Sequence, residues 1–248
     1  MVVSLSMMAE MVSPGFAGIL SGYPLGAAIT LFFIGLELNP SFAAESALYT
    51  ALGLIATQTF AYGYYRISLI TRGMPPAINL ISSAAGGIAA YFTAAFLLRA
   101  LPVNYLTALL FPAIFIFIFN YLFREVESVE INNKVSVDLK LLLIRSIFAA
   151  SAILLITSTA KIAGPAWAGL FSAFPITMLP LAMIIHFTYD VKHVHAILKN
   201  VPRGLISLLV YSLAVYFFYP LYGIYIGTVI AYGFATLGLA TIQPAAKR

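Results

Sequence analysis

The sequence predicts an all-α integral membrane protein of about eight transmembrane helices and a short N-terminal half-helix, arranged as an inverted-topology internal repeat. Three observations carry this. The 248-residue chain is 62% hydrophobic and only 8% charged, with a mean hydropathy of +1.00. So few charges cannot cover a soluble domain of this length. Apolar runs of about 20 residues recur, the length that crosses a ~30 Å hydrocarbon layer. Finally, residues 14–24 (Pro-Gly-Phe-Ala-Gly-Ile-Leu-Ser-Gly-Tyr-Pro) and 165–175 (Pro-Ala-Trp-Ala-Gly-Leu-Phe-Ser-Ala-Phe-Pro) carry nearly the same peptide. The spans read as helices, because a lipid-facing backbone must satisfy its own hydrogen bonds. The dyad alternation of an outer-membrane barrel is missing.

The expected spans, in order, are 15–36, 46–65, 76–98, 103–123, 141–162, 166–187, 203–219 and 223–242, with a tight Pro-Leu-Tyr-Gly turn at 220–223. The hydrophilic stretch 124–140 reads as a cytoplasmic linker between a first repeat, 1–123, and a second, 141–248. On this plan 11 of the 13 Lys and Arg residues fall on the side of both termini, leaving Arg99 and Lys161 opposite. That bias makes both termini cytoplasmic. Five spans then separate the two motif copies, so the copies enter the membrane from opposite sides. The first unit is truncated at its N-terminus, and the parent plan reads as five-plus-five. No cleavable signal peptide is expected, since the start lacks a basic region and a small-residue cleavage site. The expected location is the inner membrane of a prokaryote.

Within the motif, Pro14 and Pro165 suit helix starts, where a missing N–H costs nothing. Pro24 and Pro175 lie about 15 Å along, near the bilayer midplane. There they are expected to kink or break the helix and to free the carbonyls of Leu20 and Phe171, with Pro180 adding a second break. Gly18 and Gly169 remove bulk beside the break, and Ser21 and Ser172 supply hydroxyls. The two copies are expected to meet, so that Gly18, Ser21, Pro24, Gly169, Ser172 and Pro175 line a solute site. The competing reading is close helix packing, which favours the same small residues. Duplication of the whole pattern favours the site.

Ionisable residues in a membrane are costly and therefore informative. Glu10 and Lys161 each sit four residues before a motif proline and are candidates for coupling or gating, with snorkelling as the alternative. His186, at the end of the sixth expected span, is a third candidate because imidazole titrates near neutrality. Asp190-x-x-His193-x-His195 has the form of a metal motif, but no further ligands cluster nearby, and no metal is expected. The tyrosines at 62, 64, 65, 216, 219, 222 and 225 read as an interfacial aromatic belt.

The chain has no cysteine, which excludes disulfide, zinc-thiolate and iron–sulfur chemistry. Walker, dinucleotide-binding, HExxH and nucleophile-elbow signatures are missing, so neither an enzyme nor a cofactor is expected. Ser172 and His186 would stand roughly 21 Å apart on one helix, too far to act as nucleophile and base.

The stretches 14–60 and 165–211 resemble the GlpM-like prokaryotic membrane proteins, which have a single unit. They also resemble two-unit relatives carrying a Gly-Pro…Gly…Ser…Phe-Pro motif twice. The resemblance implies a multi-span, transport-related membrane protein. The five-plus-five plan is similar to that of the drug/metabolite transporter superfamily. The expected function is secondary transport of a small solute or ion by alternating access. The alternatives are a membrane assembly or lipid-handling partner and, last, a membrane-embedded enzyme. Expected partners are the lipid bilayer and the solute or ion, not nucleic acid, with a homodimer left open as the assembly.

Overall fold

The computed structural model describes residues 13–127, 129 and 164–242. Every regular element among them is an α-helix. Helix α1 (Pro14–Ser21) starts with proline in its first turn, and the Ser13 hydroxyl accepts from the Phe16 N–H at 3.1 Å. After a short break comes α2 (Leu25–Glu37). Helix α3 (Pro40–Ile70) is capped by Asn39, whose Oδ1 accepts from the Phe42 N–H at 2.8 Å. Then follow α4 (Pro76–Leu98), α5 (Tyr105–Leu122), α6 (164–172) and α7 (Met178–Thr188).

The last element, Val191–Ile242, is interrupted at Gly223, where φ is 74° and ψ is 177°. A side chain rarely adopts that conformation, and glycine makes it accessible. The chain folds back there, so the element is two antiparallel helices, α8 (191–222) and α9 (224–242). The Ser207 hydroxyl donates to the Ala235 carbonyl at 2.7 Å, and the Tyr219 and Thr228 hydroxyls share a bond of 2.7 Å. The tight turn read from the sequence is therefore present.

Among the described residues, four helical stretches are long and apolar enough to cross a membrane: Pro14–Glu37, Pro76–Leu98, Tyr105–Leu122 and Val191–Ala240. Large apolar side chains stand on the outside of α4, α5 and α9, such as Phe96, Phe117 and Val229. In water this surface would be a large exposed patch, whereas lipid matches it. The regular structure of the described residues is thus all helical, and the protein has the composition and outer face of a membrane protein.

The spacing of 151 residues between the motif copies extends through the helices. Adding 151 to α1, α2 and α3 gives 165–172, 176–188 and 191–221, close to the bounds of α6, α7 and α8. The backbone at the two breaks matches bond for bond. In the first, the Gly22, Tyr23, Leu25 and Ala28 N–H groups donate to Ile19, Leu20, Tyr23 and Pro24 at 3.1, 3.0, 2.7 and 3.1 Å. In the second, Ala173, Phe174, Ile176 and Leu179 donate to Leu170, Phe171, Phe174 and Pro175 at 3.1, 3.0, 2.7 and 2.9 Å. The i→i+2 bond over Pro24 (φ −72°, ψ 45°) is an inverse γ-turn.

Helix packing exchanges between the two units in the same register. A Cβ on Gly18 would collide with the Ile197 carbonyl on α8, and one on Gly169 would collide with the Ser46 carbonyl on α3. Gly204 lies against Ile19, as Gly53 lies against Leu170. Each motif helix therefore packs on the long helix of the other unit.

The helices of the expected spans 15–36 and 166–187 break at Pro24 and Pro175, as expected. Several other expectations need correcting. Helix α3 has 31 residues, about 46 Å, and extends beyond 46–65 at both ends. The expected 188–202 loop is helical from Val191, since Lys192, His193, His195 and Lys199 are compatible with a helix although they end an apolar window. Pro180 does not break the chain: it lies in the first turn of α7, where its missing N–H is tolerated. Tyr64 and Tyr219 are fully buried and hydrogen-bonded rather than part of an interfacial belt. Glu10, Lys161 and the expected span 141–162 lie outside the described residues.

Candidate functional site

The two breaks face each other. A Cβ on Gly26, two residues past Pro24, would stand 3.9 Å from the Ile176 Cβ, next to Pro175. Between them lies a cavity of about 30 Å³, room for one or two water-sized groups. Ser21, Tyr23 and Gly26 line it from the first unit, and Ser172, Pro175 and Thr177 from the second. Thr57 of α3 and Leu208 of α8 complete its walls. Among the described residues, no charged side chain lines it.

The polar groups around the cavity follow from how each break is closed. The Leu20 and Phe171 carbonyls, expected to be free, accept from Tyr23 and Phe174 in tightened last turns. The carbonyls at the breaks left without a donor among the described residues are those of Ser21, Gly22, Ser172 and Ile176, the last because Pro180 has no N–H to give it. The Ser21 hydroxyl donates to Gly18 at 2.7 Å and the Ser172 hydroxyl to Ala168 at 2.8 Å, which leaves both oxygens as acceptors. Each break thus presents the carbonyl end of one half-helix beside the N–H end of the next. Those ends carry opposite partial charges, so the described residues offer both polarities at the site through backbone alone.

Of the six motif residues singled out, Ser21, Ser172 and Pro175 line the cavity. Pro24 is buried beside it, at the start of α2. Gly18 and Gly169 do not line it. They are contact points for α8 and α3, as the packing alternative holds. Thr57 was missed in the sequence. It sits mid-helix in an apolar run, and nothing in its own neighbourhood signals that its hydroxyl reaches the Ala173 carbonyl at 2.7 Å.

His186 does not approach this cavity. Its Nδ1 shares a hydrogen bond of 2.9 Å with the Tyr64 hydroxyl of α3. One turn along α3, the Ser68 hydroxyl meets His195 Nε2 at 2.7 Å. His186 and Ser172 are on different helices with different partners, so no nucleophile–base pair forms. Asp190 Oδ1 accepts from the Lys192 N–H at 2.8 Å, and no group of three His, Asp or Glu side chains suited to a metal ion occurs among the described residues.

On the side of the molecule away from the histidines, Arg99 stacks over Phe96 and Trp167, with its guanidinium carbon 4.3 and 5.2 Å from the ring centres. That contact ties the end of α4 to the start of α6. Compared with known proteins, the chain matches no family model, no curated protein and no solved structure.

Proposed function

We propose that the protein is a secondary transporter that moves a small solute or ion by alternating access between two inverted repeats. The observation that carries this is the shared cavity: two helices broken with the same hydrogen-bond pattern, 151 residues apart, end at one polar pocket between two units that pack reciprocally. Inverted-repeat transporters place their sites at such facing discontinuous helices. The eight-span plan, the cytoplasmic termini and the inner-membrane location belong to this reading and rest on the partition of basic residues. A volume of about 30 Å³ corresponds to a closed state, and a cargo larger than a small ion needs the pocket to widen.

The test is uptake into proteoliposomes from a panel of labelled ions and small polar solutes, with wild type and Ser172→Leu compared. Ser172 is buried, so leucine there fills the pocket and removes a hydroxyl. The expected result is saturable uptake of at least one panel member by wild type, lost in a variant that stays monodisperse. Wild-type uptake by a Ser172→Leu protein of unchanged melting temperature overturns the placement of the site.

A further inference from the structure

We propose that His186 and His195 form a proton-binding site through which pH opens or closes one end of the protein to the central cavity; this rests on the alternating-access reading above. Both rings are 8% exposed, and both are tied to α3, through Tyr64 and Ser68, which are fully buried. The ties cross between the two units, since α3 belongs to the first and α7 and α8 to the second. They hold that end shut.

The hydrogen bonding identifies what a proton would change. The Ser68 hydroxyl has one proton and also lies 2.7 Å from the Tyr65 carbonyl. If it donates there, it accepts from His195 Nε2–H, which leaves His195 Nδ1 as a proton acceptor. Tyr64 has one partner at its hydroxyl, His186 Nδ1. An imidazolium has two donors and no acceptor. Each ring takes one proton from water, and the Tyr64 hydroxyl can then no longer donate to His186.

Water reaches both rings. A cavity of about 260 Å³ is lined by His186, and one of about 220 Å³ by His195. Around them α3 contributes Tyr64 and Tyr65, and the turn after it contributes Arg72, which lines both cavities. Helix α4 contributes Asn79, which is uncharged. The α7–α8 corner brings Tyr189, Asp190, Lys192 and His193, and the segment after α5 brings Glu125 and Glu127. Two protonated rings beside Arg72 would gather positive charge between α3 and the α7–α8 corner. Like charges in a poorly solvated place repel, and that repulsion parts the helices.

Among the described residues, the other end of the molecule has no such histidine pair. The positions 151 residues from His186, His195 and Tyr64 are Gly35, Ala44 and Val215, and that from Ser68 is Tyr219, which bonds Thr228 instead. Gly35 packs on Ile224 and Ala43 there. Among the described residues, the paired histidine ties to α3 occur at one end and not at the other.

The experiment uses the chain's freedom from cysteine. Ala27 lines the central cavity and is 5% exposed, while Ser41 is exposed at the start of α3. Single-cysteine Ala27→Cys and Ser41→Cys proteins are labelled with a water-soluble maleimide at about pH 8 and about pH 4.5, and the ratio of their rates cancels the pH dependence of the thiol. The ratio is expected to rise about tenfold on acidification, and to stay constant in the His186→Gln/His195→Gln background. Tyr64→Phe and Ser68→Ala keep both rings and should move the midpoint. The proposal is overturned by a wild-type ratio that ignores pH, by an unchanged rise in the double variant, or, if that variant does not fold, by unmoved midpoints in the other two. A pH-dependent ratio in a protein that carries no panel solute overturns the transport reading alone. Uptake with a pH-independent ratio overturns this proposal alone.

Discussion

The two proline breaks share a backbone but are tied down by different side chains. At the second break, α3 and α4 supply donors to three successive points. Thr50 donates to the Gly169 carbonyl at 3.1 Å, Tyr91 to Leu170, and Thr57 to Ala173 at 2.7 Å. At the first break the positions 151 residues from Thr50 and Thr57 are Val201 and Leu208, which donate nothing. There the backbone has only the Tyr232 contact to the Pro24 carbonyl, at 3.4 Å, while the Tyr23 hydroxyl shares a bond of 2.9 Å with Thr236 of α9. Proline and small residues repeated in register are therefore enough to repeat the break, since the γ-turn and tightened turns need only backbone. Whether a break is held by its neighbours is decided on other helices. The backbone of the second break is the more firmly held, since the first is tied to α9 through the Tyr23 side chain and the long Tyr232 contact, so motion of the cavity wall is expected to begin at 21–26.

The comparison can be broken at its shared part first. Gly18→Val and Gly169→Val both drive a side chain into the carbonyl of the crossing helix, and each should cost about 3 kcal/mol or more. Thermal melting in detergent checks this, and equal losses are expected because the two contacts are equivalent. Normal melting in either variant would show that its helix crossing is not this close. The unshared part is sharpened by a smaller effect. Thr57→Val keeps the shape and leaves the Ala173 carbonyl without its donor, for an expected loss of about 1 kcal/mol. Amide exchange at 173–177 should also rise toward that at 22–26. Tyr232→Phe, which removes only a 3.4 Å contact at the first break, should change melting by less than ~0.5 kcal/mol.

Much of this architecture was legible in the sequence, and the reasons are local. Pro24 and Pro175 announce their breaks because no neighbour can return the missing N–H. Gly223 announces its turn, in a Pro-Leu-Tyr-Gly stretch between apolar runs. Helix α4 spans 76–98 as read, because proline marks its start and arginine follows its end. What stayed hidden depends on distant partners. The polar start of α8 looks like a loop until its His195 meets Ser68 of α3. Tyr64 and Tyr219 read as interfacial because sequence position near a span end does not tell which face of the helix a ring occupies. Likewise Gly18 and Gly169, read as site residues, are set by the helices that cross them.

The central claim is that the two breaks meet face to face, and a disulfide tests it most directly. The chain has no native cysteine, and a Cβ at Gly26 would stand 3.9 Å from that of Ile176. That spacing lies within the ~3.5–4.5 Å range that a disulfide spans. Gly26→Cys/Ile176→Cys should therefore form an intramolecular bridge under mild oxidation, seen as a reducible mobility shift and by mass spectrometry. Free thiols at both positions after oxidation of a folded, monodisperse protein would contradict the meeting of the two breaks, and with it the shared site.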